Sequence, residues 1–183
     1  MQINAKLSKD KRIEIAAEEI FSKYGYEKAT LDQIISLADV GKGTVYKYFG
    51  NKEQLFYKLV SAKNEPFVEA LRVAVESESE LKDKLTAYFK VMVEFYQKNC
   101  ALWQIIYYEM LNDTHCTVVF DAEDNAQVIS RYSEDTVSDE VKERFLRYHN
   151  LLTSEFEILY KIVVDGMREG SLKSGNARIA GSH

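Results

Sequence analysis

The sequence has few of the residues that interrupt long helices. Its 183 residues include one proline and eight glycines, which leaves few places where the chain can turn sharply. Sandwiches and barrels of short strands need many such turns, so this scarcity argues against those folds. Two cysteines, Cys100 and Cys116, are too few for a disulfide framework and indicate a reducing compartment. We therefore expect an all-α fold built from long helices.

Long apolar runs are also absent from the sequence. The N-terminus lacks the apolar segment of a signal peptide, and no apolar stretch reaches the roughly 18 residues of a membrane-spanning helix. These absences predict a cytoplasmic protein with no membrane partner. The length allows a well-buried core in one domain or two closely packed small ones, and it excludes a large multidomain enzyme.

Positive charge is in deficit over the whole chain, with 24 Lys and Arg against 29 Asp and Glu. Taken alone, this balance argues against nucleic-acid binding, which needs surplus cations. The distribution is uneven, however. Residues 1–52 hold nine basic and seven acidic residues, whereas residues 53–183 hold fifteen and twenty-two. Between Val40 and Lys52 there are three lysines and no acid, so an acidic chain carries one local cationic segment.

The first predicted helix has a regular apolar stripe that ends at a glycine. The stripe consists of Ile13, Ala16, Ala17, Ile20, Phe21 and Tyr24. This spacing follows the 3.6-residue helical repeat. Gly25 comes next, and a glycine just after the last apolar position is typical of a helix C-terminus.

Two short helices are predicted after Gly25. Thr30 with Gln33 three residues later has the pattern of a capping box, which opens a second helix. The apolar face of that helix consists of Leu31, Ile34, Ile35 and Ala38. Gly41 and Gly43 bracket a tight connection, and a third helix is expected from about Thr44 to Phe49.

The rest of the chain is predicted to be mainly helical. Asn51 with Gln54 should cap a fourth helix, which Pro66 should kink or restart on its way to about Val75. Amphipathic or aromatic helical segments follow over 81–97 and 101–111, and residues 112–139 read as irregular. A long helix is expected from about 140 to 167, with one side formed by Phe145, Tyr148, Leu152, Phe156, Leu159, Ile162 and Val163.

Three short helices with a glycine-containing turn between the second and third outline a helix-turn-helix, whose last helix enters the major groove of DNA. The residues of this segment resemble the TetR family of bacterial transcriptional regulators over about residues 9–60. The resemblance is carried by Arg12-Ile-x-x-Ala-Ala-x-x-Ile-Phe-x-x-Tyr-Gly-Tyr and by Ala38-Asp-Val-Gly-Lys-Gly-Thr-Val-Tyr-Lys-Tyr-Phe-x-Asn-Lys-Glu-x-Leu. It implies a helix-turn-helix DNA-binding domain at residues 1–52 and a helical ligand-binding and dimerisation domain at residues 53–180.

The resemblance also assigns residues to the DNA interface. Lys42, Gly43 and Thr44 open the third helix, where free backbone N–H groups can face phosphates. Tyr46 and Tyr48 are two residues apart and cannot share one buried face, whereas Val45 and Phe49 are expected to pack inward. Asp32 departs from the expected cationic surface and is left out of the site. The predicted DNA-contacting residues are Thr30, Lys42, Gly43, Thr44, Tyr46, Lys47, Tyr48 and Lys52.

The C-terminal half is rich in aromatic residues, which favours an apolar pocket for a small hydrophobic or aromatic ligand. The predicted ligand-binding residues are Met92, Trp103, Tyr107 and Tyr148, and ordinary core packing is an equally good reading of each. By resemblance, the ligand would release a homodimeric repressor from double-stranded operator DNA. The fourth helix would link the pocket to the DNA-binding domain, with Pro66 as a pivot.

No catalytic or metal-binding pattern competes with this reading. The sequence lacks the nucleophile motif G-x-S-x-G, the zinc motif H-E-x-x-H and a glycine-rich phosphate loop. His115 and Cys116, with Cys100 upstream, match no zinc spacing. We expect no enzyme activity, no cofactor and no metal. The alternative function is a helix-turn-helix interaction module that does not bind DNA.

The C-terminal end departs from the family pattern. The resemblance implies two further helices that form the dimer interface, and this chain ends near residues 176–180, where the first of them is expected to begin. Dimer formation is therefore expected of the natural protein more than of this chain. The final residues 181–183, Gly-Ser-His, resemble what an expression tag leaves behind.

Overall fold

The structure is a computed structural model, and it describes residues 3–111, 116–120, 126–130 and 138–173. Its helices are α1 (Lys9–Lys28), α2 (Leu31–Ala38), α3 (Lys42–Phe49), α4 (Lys52–Glu76), α5 (Leu81–Ile105) and α6 (Asp139–Arg168), and α5 is followed by a π-helix at Ile106–Leu111. The predicted all-α class is confirmed. The segment predicted as irregular contains an antiparallel hairpin of β1 (Cys116–Phe120) and β2 (Ala126–Ser130), in which Val118 lies opposite Val128.

The chain forms two compact units. The first unit comprises residues 1–63 and 100–148, and the second comprises 64–99 and 149–183. The helix-turn-helix segment lies wholly in the first unit. The functional boundaries expected from the sequence, at residues 52 and 180, stay predictions. The segments 176–180 and 181–183, singled out in the sequence, lie outside the described residues.

The end of α1 differs from its prediction in two respects: the chain leaves the helical conformation at Gly25 but helical structure continues to Lys28, and one side chain has a different environment. Gly25 has φ 75° and ψ 176°, a conformation that glycine adopts without strain. The chain is redirected there, so Tyr24 is exposed and Tyr26 is buried. Tyr26 packs against Phe21 and Phe56, with ring centroids 5.9 and 5.4 Å away. The prediction that Tyr24 belongs to the apolar stripe is therefore wrong.

The fourth helix does not end at its proline. α4 is continuous from Lys52 to Glu76, with Pro66 inside it, so the predicted restart does not occur. Proline removes one backbone hydrogen bond. Burial of Phe67, Leu71 and Val75 just beyond it provides apolar packing that offsets this loss. These three residues form the core of the second unit together with Tyr88 and Ile162.

The long helix α6 buries a different residue from the one predicted. Phe156, assigned to its apolar side, is 48% exposed, whereas Glu155 has an exposed fraction of 0%. Tyr148, Leu152 and Ile162 are buried, and position 155 follows Tyr148 by two helical turns on the same stripe. Position 156 lies at the edge of that stripe. The placement of Phe156 was wrong because helix geometry, not side-chain polarity, decides which position faces inward.

Arg12 ties α1 to the end of α2. Its Nε and Nη2 atoms donate to the carbonyl of Ala38 at 2.9 and 2.6 Å. Nη2 also donates to the carbonyl of Asp39 and, at 3.1 Å, to the carboxylate of Asp39. The last carbonyls of a helix have no partner within the helix, so a guanidinium there satisfies them and favours the negative end of the helix dipole. The Arg12 side chain is largely buried.

Replacing Arg12 with alanine should lower the free energy of unfolding by about 2 kcal/mol, because hydrogen bonds from a charged donor are lost. Urea unfolding followed by circular dichroism measures the change. Lys11→Ala is the matched control, since Lys11 makes an exposed contact with Glu14 of a kind worth about 0.3–0.5 kcal/mol. Equal destabilisation by both variants would show that Arg12 does not hold α2.

Candidate nucleic-acid interface

The second helix opens with the predicted capping box. The backbone N–H of Gln33 donates to Thr30 Oγ1 at 3.2 Å, and the N–H of Thr30 donates to Gln33 Oε1 at 2.8 Å. Thr30 is thus confirmed as the cap of α2. Its hydroxyl accepts the Gln33 N–H, and the predicted contact between Thr30 and DNA stays a prediction.

The third helix separates buried and exposed residues clearly. Val45 and Phe49 are one helical turn apart, and both are buried, which confirms that they pack inward. Tyr46 and Tyr48 are 47% and 45% exposed, and Lys42 and Lys47 are exposed as well. α3 therefore presents to solvent two aromatic rings and two cations that have no role in holding the core.

Gly43 leaves open space on the outer side of α3. A Cβ atom placed at this residue would meet no atom within 4 Å. Because Gly43 does not have a positive φ, neither internal packing nor backbone conformation explains a glycine inside this helix. Glycine in a helix interior is less favourable than alanine by about 0.5–1 kcal/mol. The packing and backbone of the protein itself thus give no reason for a glycine at this position.

The lysines of this surface differ in what already binds them. Lys42 forms an exposed ion pair with Asp32, with 3.4 Å between Nζ and Oδ1, and such pairs contribute about 0–1 kcal/mol. A phosphate can replace Asp32 at small cost. Lys52 is half-buried, and its Nζ donates to the carbonyls of Tyr26 at 2.9 Å and Ala29 at 3.2 Å. It joins the end of α1 to the start of α4, so Lys52 has a structural role that the sequence did not indicate.

A shallow groove of about 410 Å³ continues the cationic surface beyond α3. Lys47, Lys58 and Arg147 line it, and the described lining residues include no acid. Lys58 Nζ donates to the carbonyl of Tyr48 at 3.3 Å, and Arg147 pairs with Glu53 at 2.8 Å. Sequence reasoning missed both residues. Lys58 lies on α4 beyond the cationic segment, and Arg147 is 94 residues from its partner, so no local pattern could place it there.

Three of the predicted ligand-binding residues belong to the first unit. Trp103 is buried, Tyr107 is 41% exposed, and Tyr148 is buried against Phe56 and Tyr57 at centroid distances of 6.0 and 5.7 Å. The Tyr148 hydroxyl has no hydrogen-bond partner among the described residues. Burial, with Glu53 nearby, raises the pKa of Tyr148 well above its usual range. These positions fit core packing as well as they fit a ligand site.

The fourth predicted residue, Met92, belongs to the second unit. It is half-buried and packs against the core of that unit. The structure therefore divides the predicted ligand-binding set between the two units. Whether any of the four contacts a ligand stays a prediction.

The second unit contains a buried polar cluster around Glu155. Tyr96 donates its hydroxyl hydrogen to Glu155 Oε1 at 2.6 Å, and Tyr88 donates to the Glu155 backbone carbonyl at 3.1 Å. Within the described part of the chain, Oε2 has no hydrogen-bond partner. Burial raises the pKa of Glu155 to about 7, although the Tyr96 hydrogen bond acts in the opposite direction. A single acid on an otherwise apolar stripe is the signal that could have revealed this cluster in the sequence.

A cavity of about 280 Å³ lies in the second unit. Its apolar lining consists of Val75, Ile158 and Ile162. Three cations, Arg72, Lys84 and Lys161, and three acids, Glu76, Glu78 and Asp165, also line it. The formal charges of the lining balance, so the cavity does not select anions by net charge.

The described part of the chain offers neither a metal site nor a membrane-spanning helix. It contains no group of three His, Cys, Asp or Glu side chains that could hold a metal ion. His115 lies outside the described residues, and Cys116 is described only through the backbone of β1. No helix in the same residues combines the length and apolar character that crossing a membrane requires.

The N-terminal segment matches the sequence model of the bacterial regulatory proteins, tetR family, over residues 15–59. Residues 15–59 are a helix-turn-helix segment of the TetR-family type. The match includes α2, the turn and α3, which carry the exposed cationic and aromatic surface. It confirms the resemblance inferred from the sequence motifs.

Relatives extend the likeness of this chain beyond the helix-turn-helix. The uncharacterized HTH-type transcriptional regulator YhgD of Bacillus subtilis is 27% identical over 91% of this chain and 73% of its own length. The fatty acid metabolism regulator protein of the same species is 26% identical over 87% and 69%. The crystal structure of the transcriptional regulator FadR from Bacillus subtilis in complex with stearoyl-CoA matches 93% of this chain and 77% of its own, with a TM-score of 0.66 and 22% identity. At that identity, the structural likeness concerns the fold.

Replacing Glu155 with glutamine should change how stability depends on pH. The folded protein, with a Glu155 pKa of about 7, keeps a proton that an unfolded chain with a pKa near 4.5 releases. Wild-type stability should therefore fall as pH rises from 4.5 to 7, and Glu155 should contribute about 3 kcal/mol to that fall. Glu155→Gln should match the wild type near pH 4.5 and be more stable at pH 8.

Urea unfolding of both proteins across this pH range measures the difference. Glu157→Gln is the matched control, because Glu157 is exposed on the same helix, and its difference from the wild type should not depend on pH. A stability difference between Glu155→Gln and the wild type that stays constant with pH would show that Glu155 is not titrating in the buried state.

Proposed function

We propose that this protein is a DNA-binding transcriptional regulator, specifically a repressor that a small hydrophobic or aromatic ligand releases from its operator. The observation that carries the proposal is the outer face of α3. Tyr46, Lys47 and Tyr48 are exposed there, while Val45 and Phe49 fix the helix to the core. Phosphate contacts come from cations and hydroxyls, and base contacts come from side chains that reach the major groove.

The proposed DNA interface is larger than the helix-turn-helix alone. Lys58 and Arg147 line the same groove as Lys47, which provides further cations for the phosphate backbone. Thr30, Lys42, Gly43 and Thr44 complete the interface near the start of α2 and α3. Lys52 stays in the proposed set through its position at the start of α4, although its ammonium group binds carbonyls in the free protein.

The proposed effector is apolar over most of its surface. A solved FadR structure contains stearoyl-CoA, and a relative of this chain is named as a regulator of fatty acid metabolism. Both support a ligand-responsive regulator, and the acyl chain of stearoyl-CoA supports a ligand with an apolar part. Met92, Trp103, Tyr107 and Tyr148 remain the proposed contacts. Since Trp103 and Tyr148 are buried, they would contact a ligand only from inside the core.

The proposed mechanism requires a homodimer and a helix that connects ligand to DNA. Two recognition helices would meet successive major grooves roughly 34–36 Å apart. α4 continues unbroken from Lys52 to Glu76 and carries residues of both units, with Pro66 as the proposed pivot. The ligand must bind more tightly to the conformation that does not fit DNA, because equal affinity shifts no equilibrium. The protein would act in the cytoplasm as a regulator with no enzyme activity.

Lys47→Ala should weaken binding to duplex DNA from upstream of the protein's own gene. It should also reduce the magnitude of the slope of log association constant against log salt concentration by about one. Tyr46→Ala should weaken binding without that change in slope. Fluorescence anisotropy between about 50 and 200 mM salt measures both effects. Lys90→Ala on α5 is the control for charge, since Lys90 is exposed and outside the proposed interface.

Equal binding by Lys47→Ala, Tyr46→Ala and the wild type would contradict the assignment of α3 as the recognition helix. Absence of any binding by the folded wild type would favour the alternative, a helix-turn-helix module that binds a protein partner. An electrophoretic shift with the same DNA separates these outcomes.

Gly43→Ala should separate folding from binding. Since a methyl group at this position meets open space, the free energy of unfolding should rise by about 0.5–1 kcal/mol. The same methyl group would hold DNA away from the α3 backbone, and affinity should fall about tenfold, equivalent to about 1.4 kcal/mol. Thermal unfolding and anisotropy measure the two effects, and unchanged affinity in the stabilised variant would exclude close approach at Gly43.

A further inference from the structure

Glu155 is a buried acid with an incomplete set of partners. One oxygen accepts from Tyr96, and the other has no hydrogen-bond partner among the described residues. The ion pairs in the same part of the chain do not include Glu155. The ionised form of a buried carboxyl group is costly unless a cation pairs with it, which is why Glu155 retains its proton when no cation is bound. The second unit therefore has an acceptor site that its own described side chains do not fill.

A second unfilled acceptor belongs to Asn64, whose amide binds the turn of α6 that precedes Glu155. The Asn64 side chain is 94% buried, since its exposed fraction is 6%. Its Nδ2 atom donates to the carbonyl of Leu151 at 3.1 Å and to Ser154 Oγ at 3.4 Å. Because a carbonyl only accepts, the Leu151 bond fixes which end of the amide is Nδ2. Asn64 Oδ1 is therefore an acceptor, and it too has no partner in the described residues.

The two unfilled acceptors define the chemistry of their complement. A group that donates several hydrogen bonds satisfies both, and a positive charge also compensates the buried carboxylate. A protonated amine has both properties. A carboxylate has neither, because it would place a second anion beside Glu155 without a donor.

Space for the rest of such a molecule lies along α6. Ile158 lines the cavity of about 280 Å³ and follows Glu155 by three residues, a distance of about 4.5 Å along the helix axis. Val75 and Ile162 provide further apolar lining. Neither Glu155 nor Asn64 lines this cavity, so a small aromatic ring in it needs an arm about one helical turn long to bring a charged group to Glu155.

We propose that Glu155 and Asn64 form the polar recognition site of the second unit, and that its ligand is a small aromatic molecule with a protonated amine on a short arm. The aromatic ring occupies the cavity beside Ile158, and the ammonium donates to Glu155 Oε2 and Asn64 Oδ1. This inference rests on the proposed ligand-responsive function, and it names the chemical class of the effector. The site does not use Trp103, Tyr107 or Tyr148, which belong to the first unit; of the four contacts proposed above, only Met92 belongs to the second unit. The inference also sets this chain apart from a regulator that recognises an anionic acyl compound.

Three probes of similar size and different charge test the proposal. They are 2-(1-naphthyl)ethylamine, 2-(1-naphthyl)ethanol and 1-naphthaleneacetate. Isothermal titration calorimetry of the full chain at neutral pH gives the three dissociation constants. The amine should bind at least about tenfold more tightly than the alcohol, and the acetate should bind most weakly. Equal or weaker binding of the amine relative to the alcohol would overturn the proposal.

Matched variants locate the binding site. Glu155→Gln keeps the size of the side chain and an acceptor for Tyr96 but removes the charge, so the preference for amine over alcohol should disappear. Glu157→Gln changes the same charge on the exposed face of α6 and should keep the preference. If Glu155→Gln retains the full preference, the amine is recognised elsewhere and the proposal fails.

A third variant tests the cavity. Ile158→Phe adds volume where the aromatic ring is placed, and it should weaken binding of the amine and the alcohol by a similar factor. Circular dichroism confirms that each variant is folded. Unchanged binding of both probes in folded Ile158→Phe would overturn the placement of the ring.

Anisotropy with labelled DNA separates this proposal from the proposed function. Loss of DNA binding on addition of the amine, dependent on Glu155, supports both. A Glu155-dependent amine preference in a protein that binds no DNA supports the site and contradicts the regulatory function. If DNA binding is unaffected by the amine and calorimetry shows no preference for the amine over the alcohol, the proposed ligand site is contradicted. The DNA-binding role is still supported.

Discussion

The helix-turn-helix depends on contacts that its short helices cannot make for themselves. α2 and α3 have eight residues each, and isolated helices shorter than about 12–15 residues are marginal in water. Their stability has to come from burial of Ile34, Val45 and Phe49 and from the Arg12 guanidinium at the end of α2. These contacts involve the buried faces of α2 and α3 and the end of α2. The outer face of α3 therefore does not contribute to the stability of the core. An interface with DNA is available because the core is complete without it.

Local chemistry made much of this fold predictable. Two capping patterns predicted helix starts, Thr30 with Gln33 and Asn51 with Gln54. The structure contains the corresponding hydrogen bonds. Apolar spacing likewise predicted that Val45 faces inward. These signals depend on residues a few positions apart, so a single sequence carries them.

The features that the sequence did not reveal depend on distant residues or on a conflict between signals. Lys52 belonged to a cationic segment, and only the fold brings it to the carbonyls at the end of α1. Arg147 reaches the groove beside α3 from a helix late in the chain. Glu155 has the polarity of a surface residue and the helical position of a core residue. The structure buries it, as its helical position requires. The two compact units likewise combine segments far apart in sequence, which local patterns could not assign.

The turn between α2 and α3 contains Asp39 in the left-handed region, with φ 50°. A residue other than glycine is uncommon in this conformation, and here Arg12 of α1 binds both the carbonyl and the carboxylate of Asp39. The conformation of the turn between α2 and α3 thus depends partly on Arg12, which lies outside the helix-turn-helix. A chimaera that transplants only residues 30–50 onto another scaffold would lack this support. The smallest segment that can be transferred with its helix-turn-helix geometry intact therefore has to include α1.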